Sequence, residues 1–371
     1  MKGLLFTISF ILLLTGCSSD SSSETEPDAA AYDKEAMLNS WADHIIIPSF
    51  VNYQLKVNAL NASTVAFTET SNVENLALLR DAWLEAYKAY QHVGIFDIGK
   101  ATDLHLLEVS NTYPTNTENI ETNIATGNYN LDTQAQYASQ GFPALDYLLY
   151  GLADTDAAVL EFYSISANAS NYKAYLTALS AKLNTTANEI VADWNSGYSA
   201  TFISNSNAVT GSLNQTANNF IKNLEKEIRA PKVGIPAGVF SNGTLFPEKV
   251  EAYYKNDISK LLIVEATQAS QDFFNGTTFG TNTSGPGLKE FLDAVGANSS
   301  GQSLSSIINN QYETIFSEIA KLEASFSSQI TTNNSLMLNA YDALQQNVVY
   351  LKVDMISALS LTIDYVDGDG D

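Results

Sequence analysis

The chain holds a single cysteine, Cys17. One thiol makes neither a disulfide framework nor a thiolate metal centre, so a cysteine-stapled fold is excluded. Histidine is almost as scarce, with His44, His92 and His105 as the whole set. None falls in a His-x-x-x-His or His-Glu-x-x-His spacing, which removes the helix-borne zinc site of the zincin peptidases. Lysine and arginine number 18 against 41 acidic residues, a net charge of −23. Phosphate backbones are held by basic side chains, so no nucleic-acid partner is expected. An acidic surface attracts cations without marking where one binds. There is no Gly-x-Ser-x-Gly elbow for a serine nucleophile and no phosphate-cradling glycine loop. No convincing strand run is found, and the apolar stretch at residues 4–14 is too short to span a bilayer.

That stretch has another meaning. Lys2 precedes it and Leu14-Thr15-Gly16-Cys17 closes it. A positive start, a short apolar run and small residues before a cysteine make a secretory signal with a lipobox. Residues 1–17 are therefore expected to be a lipoprotein signal peptide, with Cys17 lipidated and holding the mature chain to a membrane without a spanning helix. Ser18, rather than Asp, follows the cysteine, which is compatible with the outer membrane of a two-membrane bacterium, on its periplasmic or its surface face. Residues 18–33 are rich in Ser, Asp and Glu and read as a disordered acidic tether, either a plain spacer or an export mark.

What remains exceeds the length one hydrophobic core usually supports, so two units are expected. Their period is helical. Leu38, Trp41 and Ile45 lead to Pro48, and Phe50, Tyr53, Val57 and Leu60 continue beyond it, as in a helix kinked or divided at the proline. Leu79, Ala82, Trp83, Ala86, Tyr87 and Tyr90 form one wide apolar face over residues 75–93. Residues 94–140 are irregular, with a capping box at Thr115-Asn116-Thr117-Glu118 and a helix stop at Gly127. Residues 171–194 are amphipathic, and the Gly/Ser/Asn-rich residues 195–207 are expected to divide the halves. Beyond them come a helix stopped by Arg229-Ala230-Pro231-Lys232, an extended stretch at 233–247, and helices at 248–274, 287–295, 304–326 and 336–361. The expected architecture is all-α: two packed bundles of four-helix type over residues 34–200 and 208–371.

The most informative segment is Gly141-Phe142-Pro143-Ala144-Leu145-Asp146-Tyr147-Leu148-Leu149-Tyr150-Gly151. Pro143 suits a first helical position and Gly151 a left-handed residue just past the end. Asp146 is then a carboxylate in the first turn, where the helix dipole favours negative charge. The residues leave two roles for it, a solvated or dipole-paired acid on a core helix, or a ligand group. His105 and Glu108, three apart, read either as a surface pair or as two metal ligands on one face. His92 could serve as an axial haem ligand, though nothing points to it specifically. Asp367-Gly368-Asp369-Gly370-Asp371 resembles a calcium loop without its distal bidentate Glu, and a frayed acidic tail fits it better.

The 141–151 segment resembles the signature of the imelysin family, bacterial envelope proteins linked to iron uptake and described as insulin-cleaving peptidases. The family motif is Gly-x-His-x-x-Glu followed by an apolar run and a glycine. Gly141 and the Tyr147–Gly151 tail match, whereas Pro143 stands in place of the His and Asp146 in place of the Glu. Trp83, Tyr90 and Phe96-Asp97-Ile98-Gly99 are similar to the family stretch before the signature. Arg229 to Pro236, with Lys232 and Gly234, is similar to its second-half stretch, and residues 352–371 to its end.

The resemblance implies two four-helix bundles with a cleft near the signature helix, an envelope location and a link to iron. Pro143 has no donor atom, and Asp146 reaches about 1.5 Å less far than a Glu, one C–C bond. The expectation is a retained cleft whose motif site has degenerated. Gly141, Pro143, Asp146, His92, Asp97 and Arg229 are the residues expected to face it. Asp146 is the candidate ligand for iron or another divalent cation. Three readings follow: a lipid-anchored, non-hydrolytic binding component working with iron-transport components, an imelysin-type metallopeptidase, or a structural, partner-binding envelope lipoprotein.

Overall fold

The structure, a computed structural model, describes residues 32–205 and 211–365. The expected signal peptide, Cys17, most of the tether and the Asp367–Asp371 acids lie outside the described residues. What is described is all-α. Its only strands are the two-residue pair Asn298–Ser299 and Gln302–Ser303, with one isolated bridge between Thr277 and Ser284.

The first half is built around Ile47–Glu69, which packs against Val73–Val93 and Ala169–Asp193. Phe50, Tyr53, Val57 and Leu60 are buried on the face that their spacing predicts. Asn72 starts the next helix by accepting the Asn75 N–H at 2.8 Å. In the second half Phe326–Val349 packs against Asn223–Gly234 and Leu304–Ala320. Ser259–Asn275 joins the halves by packing on Val73–Val93 as well as on its own bundle. One continuous apolar core results. The first helix, Lys34–Trp41, also reaches the second half, where Trp41 meets Phe273 at 4.8 Å and Tyr32 stacks on Phe291 at 4.4 Å.

Several boundaries differ from expectation, each for a local reason. The interruption at Pro48 takes the form of a wide π-type turn, Ala42–Ile46, directly before the proline's helix. Pro231 does not stop its helix either. Asn223–Gly234 runs through it with wide turns, which give room for the ring and the missing donor. Residues 233–247 are not extended but turn repeatedly. The helix expected from 248 begins only at Ser259, after an irregular loop. Residues 195–204 continue as a wide turn, Trp194–Tyr198, kinked at Gly197 (φ +132°), and a short helix, Ser199–Ser204. The cap of Thr117–Thr126 is Asn116, which accepts the Asn119 N–H at 3.0 Å, while Thr115 donates to Ala138 O at 2.8 Å. Gly127 ends that helix in the left-handed conformation, φ +64°, as expected.

Candidate functional site at the junction of the two halves

Gly141 opens the signature helix, Gly141–Asp146, at φ +74°. A Cβ there would lie 2.2 Å from the backbone oxygen of Ser110, so only glycine lets the two segments approach. Helical backbone begins at Phe142, and Pro143 stands in the first turn, where no donor is needed. Phe142 is buried and stacks on Tyr87, ring centroids 4.6 Å apart, while its carbonyl accepts Trp83 Nε1 at 3.2 Å. The wide turn Tyr147–Gly151 follows. Leu148 O accepts Tyr163 Oη at 2.8 Å, and Leu149 O accepts Arg80 Nη2 at 2.6 Å. Gly151 lies inside this turn and not at a left-handed stop. Its small size matters because a Cβ would meet the Tyr254 ring at 2.4 Å.

Asp146 therefore ends the α-helix instead of lying in its first turn, and the helix dipole does not account for it. The side chain is 1% exposed and crosses to the second half. Its two oxygens accept the backbone N–H groups of Tyr254, at 2.8 Å, and Lys255, at 2.9 Å. Those groups belong to the loop before Ser259–Asn275, which is held in uncommon backbone conformations at Ala252 (φ +55°) and Asn256 (φ +63°). Asp146, Glu248, Tyr113, Pro143, Tyr253 and Tyr254 line a cavity of about 30 Å³, room for one ion or water.

Burial pushes the Asp146 carboxyl from its ordinary value near 3.8 up to about 7, against the two N–H bonds and Lys255. A carboxyl raised on folding favours the fold fully below its unfolded value. It loses that contribution as pH rises through the folded value. About three units correspond to an upper figure of about 4 kcal/mol. Glu227, raised to about 7 mainly by burial, acts with the same sign. The contribution of these two groups to stability should therefore fall between pH 4 and 7 and level off above. Asp146→Asn should remove part of that slope in urea unfolding followed across this range, and an unchanged slope would count against a buried, raised Asp146.

A second set of polar groups crosses the junction beside this one. Lys232 and Glu251 form an ion pair, 3% and 2% exposed. Lys232 Nζ also donates to Gln91 Oε1 at 3.0 Å, Gln91 Nε2 donates to Glu251 Oε1 at 3.2 Å, and Asn111 Nδ2 to the same oxygen at 2.9 Å. Tyr87 Oη donates to Asn111 Oδ1 at 2.5 Å. Two residues of the second half are thus held by two of the first, with Tyr87 fixing the Asn111 amide. Buried charges need such partners on every side. Lys232 stands in a stretch that the sequence singles out, but Glu251 and Asn111 carry no local signal.

The other expected site residues lie elsewhere. Arg229 is buried within the second half, paired with Glu225 at 3.8 Å and set over the Tyr341 ring at 5.3 Å. His92 Nε2 contacts Glu265 Oε2 at 3.1 Å and lines a different cavity, with Phe279 and Asp272. Asp97 is partly buried, and its carboxyl is raised by burial against the opposing pull of Lys222. His105 is left-handed, φ +54°, and precedes Leu106–Asn111 instead of sharing a helix with Glu108, so the reading of the two as metal ligands on one helical face loses its premise. Only Gly141, Pro143 and Asp146 come together at the junction.

The profile of the imelysin (peptidase M75) family matches residues 46–352. The chain belongs to the imelysin family. Two solved structures share its fold at 17% identity. One is described as an iron-regulated protein A precursor from Parabacteroides distasonis ATCC 8503, with a TM-score of 0.73, covering 91% of this chain and 97% of its own. The other is an imelysin-like protein from Psychrobacter arcticum 273-4, with a TM-score of 0.67, covering 91% and 98%. No curated protein sequence matches the chain. Among the described residues no three His, Cys, Asp or Glu side chains are placed to hold one metal ion. A tetrahedral transition-metal centre of the catalytic type, with three protein ligands, does not fit this imelysin junction. The two carboxylates of the 30 Å³ cavity suit at most an oxygen-liganded cation completed by water.

Proposed function

We propose that this chain is a non-hydrolytic binding component of the bacterial cell envelope, anchored through a lipidated Cys17 and working in iron acquisition. Envelope iron-transport components are its expected partners, and an oxygen-liganded cation is held at the junction by Asp146. The observation that carries this reading is the Asp146 carboxyl. It is buried against two backbone donors, and Lys255, the lysine whose charge acts on it, pairs with Asp257 at 2.7 Å. An incoming cation would supply the missing positive charge, with Glu248 on the same cavity wall. The iron-regulated description of the Parabacteroides protein supports the link to iron. Hydrolysis lacks support because Pro143 offers no ligand where the family motif has its His.

The test is metal content and calorimetric titration of residues 18–371 with Fe(II) and with Ca(II), beside Asp146→Ala. One cation per chain is expected, lost in the variant. Its affinity should rise by about tenfold per pH unit below pH 7, as the carboxyl gives up its proton. No cation in either protein would overturn the Asp146 site and leave a partner-binding lipoprotein. Chelator-sensitive proteolysis would instead support the metallopeptidase.

A further inference from the structure

A second cavity, of about 300 Å³, lies between the Val73–Val93 and Ser259–Asn275 helices and the loop after the latter. Its walls include Phe96, Phe273 and Phe279, with His92, Asp272 and Ser49 as polar groups. The volume is at the lower end for small-molecule sites. The loop over it is built. Thr277 N–H donates to Asp272 O at 2.8 Å, Thr278 N–H to Thr283 O at 2.8 Å, and Phe279 N–H to His44 O at 2.8 Å. Phe279 stands edge-on to His92, centroids 5.7 Å apart, and Phe96 edge-on to Phe273 at 5.5 Å.

The charges in this cavity are uneven. His92 faces Glu265 at 3.1 Å, and that contact holds the Glu265 carboxyl below its ordinary value. The Asp272 carboxyl accepts the Gln268 amide, Nε2 to Oδ1 at 2.9 Å, and burial raises it against that bond and the weaker pull of His92, which is itself taken up by Glu265. None of the ion pairs among the described residues includes Asp272. An acid that no lysine or arginine pairs among the described residues, in an aromatic-walled cavity, is the arrangement that recognises an ammonium group on an apolar body. A transition-metal centre with three protein ligands does not fit here either, because no three suitable ligands converge among the described residues.

We propose that this cavity is a binding site for a compact organic cation, a primary ammonium on an apolar body, with the ammonium on Asp272 and the body against Phe96, Phe273 and Phe279. The site is separate from the junction, so it stands or falls apart from the Asp146 cation. Benzylamine is a suitable probe at pH 7.5, with benzyl alcohol as its uncharged counterpart. Saturation-transfer NMR and calorimetry should detect benzylamine and give at least about tenfold weaker binding in Asp272→Asn, the loss expected for one charge-assisted hydrogen bond. Phe279→Ala should weaken it several-fold, and Asp146→Ala should leave it unchanged. A melting curve confirms that Asp272→Asn is folded. No transfer to wild-type protein at about 10 mM benzylamine, equal binding of benzyl alcohol, or unchanged binding in a folded Asp272→Asn would overturn the proposal.

Discussion

Lys232→Met should lower the unfolding free energy by about 3–5 kcal/mol, the cost of leaving a buried charge without its partner. Among the described residues Lys232 is the one cation paired with Glu251, and both groups are nearly inaccessible. Without it the carboxylate keeps the Gln91 and Asn111 amides, which donate but carry no charge, and Gln91 Oε1 loses its donor. Urea denaturation at pH 7 reads the effect directly. Adding Glu251→Leu to Lys232→Met should restore much of the loss, since removing both charges also removes their desolvation cost. A Lys232→Met cost below about 1 kcal/mol would mean that water reaches Glu251 and that this ion pair does little to hold the two halves together.

Gly141→Ala should be comparably damaging, for a steric reason. An L-residue at φ +74° costs about 1–2 kcal/mol. Its Cβ would also press on Ser110 O at 2.2 Å and Val109 O at 2.7 Å, both backbone atoms that cannot rotate away. Overpacking of this kind adds about 1–3 kcal/mol. Gly127→Ala is the matched control, with φ +64° and nothing nearer than Asn171 Nδ2 at 3.9 Å. The two variants, compared by urea midpoints, should differ by the clash alone. Equal losses would show that the Ser110 segment yields and that the signature helix is not clamped at its start.

The helical framework was legible in the sequence where an apolar face repeats without a break. Val73–Val93 begins within two residues of its expected start because Leu79, Trp83, Ala86 and Tyr90 mark one stripe and Gly94 follows. The wide turns were not legible, since each shifts the period for only a few residues. Residues 248–258 have a helix-like composition, yet Asp146 and the Lys232–Glu251 pair hold them as a loop. Tertiary contacts there override local propensity. Asp146 was legible as a residue that matters, but its role was not. Its partners are backbone donors of Tyr254 and Lys255, and a backbone N–H carries no side-chain signature. His92 and Arg229 were grouped with it because they sit in stretches similar to the family's, which says nothing of the direction in which a side chain points.

The clasp of the first helix by the second half has a consequence in time. Tyr32 and Trp41 leave the ribosome early, but their partners Phe291 and Phe273 come well over half the chain later. Until then Met37, Leu38 and Trp41, wholly buried in the finished fold, have nothing of the second half to cover them. Contacts of such long sequence separation form slowly. The Lys34–Trp41 helix is thus sealed late, and during synthesis it remains a sticky segment that a holding chaperone would grip.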